Sequence, residues 1–468
     1  MKNYFVRLLF DKNIFSNRYK VAIIFVAYVF LLYFVYCYAC EINIGGDAWK
    51  TGDWLINYEG GWVRRGLIGQ VLYEISGFGV SLVWVAFLLQ TLIYLSTAHF
   101  VLKIFFSTRR EISWLLFLFS PAFIFLFPFY DIQGGFRKEI IVFLAFCLLA
   151  VGLMHGGFNK KYLVSSLFLY AIAVFSHELA ASCIIFFVHL LFEHTRSDAN
   201  LRSIGRVYIT GFIIVAVAGL LFSFIFPGTI DTADKICESL QHRGLTSDIC
   251  SGAIKALGVD SSSGWKQVMA RIQHYAFLYP PLFVLAMIPL SLTDWWSRRL
   301  PVLLVGFVFV APLFLVAKDW GRWIHVYFSM ISVLLLCDSS NIKTRIYKLP
   351  LIGVIIYAGV WSIPHSGASL PGFGMCSVAY RIVHDDEGYN NRGNAYFEKG
   401  LYDQAISDFS KALEINPKYG EAYRNRAVTY YLTKNYNKSW DDVSKAKELG
   451  LSIEPTFIDA LRKASGRQ

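Results

Sequence analysis

Four short stretches of this 468-residue chain set carboxylates within a few positions of guanidinium, ammonium or imidazole groups. They read EINIGGDAWKTGDWLINYEGGWVRR (41–65), DIQGGFRKE (131–139), His177-Glu178 and KDWGRWIH (318–325). A carboxylate can take the proton of an attacking hydroxyl. Asp47 and Asp53 are the candidates for that role, with Asp47 favoured because it lies nearer the first long apolar run; the competing reading is a helix cap. Guanidinium groups fork onto phosphate oxygens as lysine cannot, which singles out Arg64, Arg65, Arg137 and Arg322, with Lys138 and Lys318 secondary. Simple pairing competes here too: Arg137 with Glu139 or Asp131, and Arg322 with Asp319. His177 is a proton carrier or acceptor-binding group, unless Ser176 caps the following helix and Glu178 merely favours its dipole. His325 offers a second imidazole beside Arg322. Trp54 and Trp62, interleaved with Trp49 and Tyr58, suit either a sugar ring or a membrane interface. Carboxylate oxygens also suit Mg or Mn, although no spacing demands a metal.

The elements that must hold these groups are apolar. The chain is 56% hydrophobic and 16% charged, against roughly 25% charged in soluble proteins, which excludes a soluble multidomain enzyme. Eleven segments approach the ~20 residues that a bilayer requires: about 21–40, 78–103, 112–130, 140–155, 162–176, 179–193, 207–226, 275–293, 300–317, 323–338 and 350–364. The first lacks a small-residue cleavage site and reads as an uncleaved span. Alternate connections carry 18 Lys and Arg against 12, which predicts a cytoplasmic N-terminus and makes 41–77, 131–139, 227–274 and 318–325 outer loops. The same rule explains the net charge of +11 without nucleic acid. Fourteen of the 20 acids before residue 381 fall on the outer side. One such cluster suits loop charges solvated at the interface. Four on one face argue for a shared polar site, because ionisable groups at membrane depth are costly and line pathways.

Residues 66–76 (GLIGQVLYEIS) are too short to span and are predicted to form an interfacial helix. Cys237 and Cys250, thirteen residues apart in the long outer loop, are spaced for a disulfide or for two free thiols, the bridge being slightly favoured. Cys37, Cys147, Cys183 and Cys337 read as small core residues. No zinc spacing, Walker motif, GxSxG elbow or Rossmann glycine pattern is present.

Residues 365–380 form a linker to a polar, charge-balanced tail, 381–468, that repeats at 34 residues. Tyr389, Arg392, Gly393 and Tyr396 recur as Tyr423, Arg426, Ala427 and Tyr430. Ala405, Phe409, Ala412 and Pro417 complete the first copy, and Ser439, Val443 and Leu451 weaken the second. The pattern is that of tetratricopeptide repeats, with residues 454–464 as a capping helix. Such repeats imply a protein or peptide partner.

An early acidic outer loop, an interfacial helix, many spans and a soluble outer domain together resemble the GT-C glycosyltransferase superfamily, some of whose members carry lumenal tetratricopeptide repeats. The apolar segments and the repeat predict an all-α fold, with a polytopic helix bundle of about eleven spans over 1–364 and a C-terminal two-repeat solenoid. The resemblance implies transfer from a polyprenyl-phosphate-linked sugar at the outer, periplasmic face of a bacterial inner membrane. Asp47 is followed by Ala48, not by the Glu of the Asp-Glu pair found in several of those families. The chain is similar as well to Wzy-like O-antigen polymerases and ligases, which rely on outer-face Arg and His; Arg64, Arg65, Arg137, Arg322, His177 and His325 suit that reading. A third expectation is a non-enzymatic scaffold whose repeats recruit a partner.

Overall fold

The computed structural model describes residues 17–43, 45–107, 112–154, 158–196, 198–258, 261–270, 272–316, 319–338, 351–364, 386–398, 400–451 and 453–466. Every regular element among them is helical. The chain separates into two compact units, Met1–Met375 and Cys376–Gln468; the linker expected at 365–380 lies outside the described residues.

Five helices of the first unit are long and apolar enough to cross a membrane. They are α1 (Asn17–Asn43), α4 (Leu82–Phe105), α8 (Ala199–Ile225), α11 (Ile272–Ser291) and α13 (Trp320–Cys337). Between them lie the shorter α5 (Glu139–Leu153), α6 (Lys160–Ser176), α7 (Ile184–Thr195) and α12 (Leu300–Val316), and α14 (Leu351–Val360) follows α13. Two non-spanning helices follow α1: α2 (Lys50–Trp54) and α3 (Gly66–Ser76), the latter coinciding with the interfacial helix expected at 66–76. Within the long connection after α8 run α9 (Ile230–His242) and α10 (Ser261–Ala270).

The segment 112–130 departs from the expected spanning helix. It forms a 3-10 turn, Ile112–Trp114, and two single turns, Leu115–Leu118 and Phe127–Tyr130, and is buried throughout from Ser113. Pro121 and Pro128 cannot donate to a helical ladder. Local turns replace that ladder, including Phe123 N–H to Ser120 O (2.9 Å) and Tyr130 N–H to Leu126 O (2.9 Å). Irregular backbone is tolerated in an apolar setting only when protein encloses it, and here it does.

Burial sorts the helices. All of α5 but one residue is buried, as is α13 from Gly321 to Leu336, so these two form the centre. α8 buries only Gly205, Phe212, Ala216 and Gly219 and faces outward. Gly219 is where α8 meets α6: a Cβ there would lie 2.0 Å from Val174 Cγ1. The connections gather at two ends. At one, Lys50 Nζ donates to Ile132 O (3.2 Å), Lys138 Nζ donates to Arg65 O (2.8 Å), and Gly321 abuts Pro364. At the other, Arg299 bridges Glu193 (2.9 Å) and Asp338 (2.8 Å).

The second unit stacks α15 (Asp386–Glu398), α16 (Tyr402–Ile415), α17 (Gly420–Leu432), α18 (Tyr436–Glu448) and α19 (Pro455–Ser465). Its 34-residue repeat is written into its polar contacts. Arg392 forks onto Asp408 (2.5 and 2.8 Å), and Arg426 onto Asp442 (2.8 Å for both bonds). Gly393 leaves room for the Phe409 ring, 2.6 Å from where a Cβ would sit. Leu461 of α19 closes the last core against Ala427 and Val443, the capping role that 454–464 was expected to fill.

Candidate functional site: a buried charge cluster where helix connections meet

After α1 the chain turns at Gly45 and Gly46, both at positive φ (117° and 88°). Asp47 then accepts the N–H groups of Trp49 (2.9 Å) and Lys50 (2.5 Å), while its own N–H donates to Thr51 Oγ1 (3.1 Å). Its Oδ1 is therefore taken up by the backbone that leads into α2. Asp53, one turn on, is 3% exposed. Lys138 Nζ and Arg65 Nη1 each lie 3.9 Å from its Oδ1, which accepts no hydrogen bond among the described residues. Burial acts to raise the Asp53 pKa, but Lys138, Arg65, His177 and Arg137 outweigh it and hold the carboxyl below its ordinary value.

The cations around Asp53 are held unequally. Arg65, at φ 69°, turns back so that its Nε donates to Glu178 Oε2 (2.8 Å) and its Nη2 to Oε1. Burial opposes the Glu178 charge, but Arg65 keeps the carboxyl well below its usual range. Arg64 approaches Glu178 only to 3.7 Å, and its Nε has no hydrogen-bond partner among the described residues. Lys138 has the Arg65 carbonyl and the distant Asp53; burial lowers its pKa to about 8. Arg322 pairs with Glu139 and, at 2.7 Å, with Asp319. Arg137 donates to the carbonyls of Trp49 (2.6 Å) and Gln133 (3.3 Å), not to Glu139 or Asp131 as simple pairing anticipated.

His177 is buried, and burial together with Arg65 drives its pKa down to about 4. Its Nδ1 accepts the Leu179 N–H (3.3 Å), so His177, and not Ser176, meets the start of the following turn. His325 meets a backbone carbonyl and an aromatic ring. Its Nδ1 contacts Ala122 O (2.8 Å), and its ring stacks on Phe127 (4.1 Å). Trp54 is fully buried with Nε1 donating to Phe136 O (2.8 Å), a packing role. Trp62 is 64% exposed, beside Tyr58 (4.9 Å). Lys318 lies outside the described residues.

Three members of the cluster were not singled out beforehand. Lys50 is buried, paired with Glu41 (2.6 Å) and lying over the Tyr38 ring (4.8 Å). Glu139 and Glu178 supply the anions that hold Arg322 and Arg65. Their signal was present: each acid opens an apolar run, where an ionisable group needs a partner. Among the described residues no three of His, Cys, Asp and Glu gather to hold a metal ion. The cluster carboxylates face Arg and Lys, a donor set that does not fit Mg or Mn.

Comparison with known proteins bears on the tail. Residues 387–419 match the tetratricopeptide repeat family, with Tyr389, Gly393, Ala405, Phe409, Ala412 and Pro417 inside the match. Such repeats mediate protein–protein interactions. No curated protein matches the chain.

Proposed function

We propose that this chain is an integral-membrane glycosyltransferase that uses a lipid-phosphate-linked sugar, with Asp53 as the base. The observation that carries the reading is the Asp53 carboxylate: buried, anionic, flanked by Lys138 and Arg65 and accepting no hydrogen bond at Oδ1. In this reading Asp53 takes the acceptor hydroxyl proton as that oxygen attacks the anomeric carbon. The lipid phosphate leaves with the electrons of the broken C–O bond. Lys138 and Arg64 meet the departing phosphate: each stays beyond hydrogen-bond reach of its nearest carboxylate, at 3.9 and 3.7 Å, and Arg64 Nε has no hydrogen-bond partner among the described residues. Arg65 and Arg322 already have theirs.

The test is direct. Purified protein in nanodiscs is given polyprenyl-phosphate-linked hexoses, and mass spectrometry follows the release of polyprenyl phosphate. Turnover by the unaltered protein and its loss in Asp53→Asn support the reading; no turnover or binding with any such donor removes it. The kcat/KM should also fall as pH rises through about 8, since Lys138 loses its charge there. Lys138→Arg should carry that limb upward beyond pH 9. His177→Gln should leave the profile between pH 5 and 8 unchanged, because an imidazole with a pKa of about 4 is already neutral across it.

A second reading, a scaffold that recruits a protein, is favoured by the tetratricopeptide match and by the near-complete internal pairing of the cluster. Removing residues 381–468 separates the two. A transferase should keep donor turnover and lose partner binding; a scaffold should lose its only readout.

A further inference from the structure

We infer that the segment 226–258, cross-linked by the Cys237–Cys250 disulfide, is a clamp that positions the loop carrying Asp53. The Cys237–Cys250 bridge joins α9 to the 3-10 turn Ser247–Cys250, and each side grips a different part of the first loop. On the Cys250 side, Ala253 N–H donates to Ala48 O (3.0 Å). Approach there is so close that a Cβ on Gly52 would meet Ile249 O at 2.8 Å, and one on Gly252 would meet the Ala48 carbonyl at 2.5 Å. On the Cys237 side, the buried Asn57 Nδ2 donates to Ser239 Oγ (3.3 Å), and Gly60 lies against Thr232 O. A third grip follows at Arg64, whose N–H donates to Phe226 O (2.8 Å).

Asp53 sits between the first two grips, and Arg65 directly follows the third. The bridge makes the grips one piece, so the spacing of 48–52 from 57–60 is fixed from outside the loop. The loop's own turns are too short to fix it: α2 is a five-residue helix. The clamp concerns how the loop is held, and it stands or falls independently of sugar transfer.

Hydrogen exchange on the full chain in nanodiscs tests it. In Cys237→Ser/Cys250→Ser, amides of 48–60 should exchange about tenfold faster, while α5 and α13 keep their protection. Gly252→Ala should reproduce the pattern with the bridge intact, because its methyl group displaces the Ala48 carbonyl. Unchanged protection of 48–60 in either variant overturns the clamp. So does an equal rise across α5 and α13, which would make the bridge a support for the whole unit. Should the double variant fail to assemble, Gly252→Ala is read by the same criteria.

Discussion

Asp53→Asn is expected to lower glycan transfer by about 10²- to 10⁴-fold, the range spanned by loss of a general base, while Asp47→Asn leaves it within a few-fold. The contrast follows from what each carboxylate already does. Asp47 Oδ1 accepts two backbone N–H groups of the chain leading into α2, and Asn accepts such bonds about as well as Asp. Asp53 makes no such bond at Oδ1, and its value lies in its charge. An indirect route must be separated from the direct one. Removing the Asp53 anion takes away the nearest group that keeps Lys138 protonated, so a defect could arise through Lys138. Arginine at position 138 stays charged whatever its neighbours. A defect of Asp53→Asn that persists in Asp53→Asn/Lys138→Arg belongs to Asp53 itself, and one that vanishes there belongs to Lys138. Full transfer by Asp53→Asn at every pH would sink the assignment.

The choice between these two aspartates shows where sequence reasoning stopped. Opposite charges close to the ends of apolar runs announced a cluster, and Asp53, Arg65, Lys138 and Arg322 do assemble. Proximity in sequence to α1 favoured Asp47; the proposal of Asp53 rests instead on burial, and burial depends on what 131–139 and 226–258 bring across the loop. The surroundings of His325 were hidden for a related reason. In sequence it sits three residues from Arg322, yet one helical turn deeper it packs against Phe127 and Phe143. A charged cluster and an aromatic core can share a helix.

The helices themselves were legible where composition alone specifies them. α1, α4 and α8 are uninterrupted apolar runs with no competing structure. The segment 112–130 has the same hydrophobicity but carries Pro121 and Pro128, and its side chains are enclosed on every side. A hydropathy window cannot register either fact. The tail was the most legible part, since repetition at 34 residues constrains every position twice. Even the Arg–Asp forks recur in register.

Arg322→Met should be the single change most damaging to stability, at about 3–5 kcal/mol, because it strands the buried Glu139 carboxylate without its cation. Glu139→Leu/Arg322→Met should recover most of that loss, since well-packed apolar residues replace buried ion pairs at little cost. Denaturant unfolding in micelles measures both. A double variant no more stable than Arg322→Met would mean that the pair is favourable in itself, beyond the cost of leaving one partner alone. The same double variant also decides whether Arg322 belongs to the chemistry. If Lys138 and Arg64 receive the phosphate, the stable double variant should transfer sugar within about tenfold of the unaltered protein, for it has lost an internal pair and nothing that meets the substrate. If stability returns and transfer does not, the guanidinium of Arg322 must leave Glu139 during the reaction and bind the phosphate itself. The resting pair would then be a latch that the substrate opens.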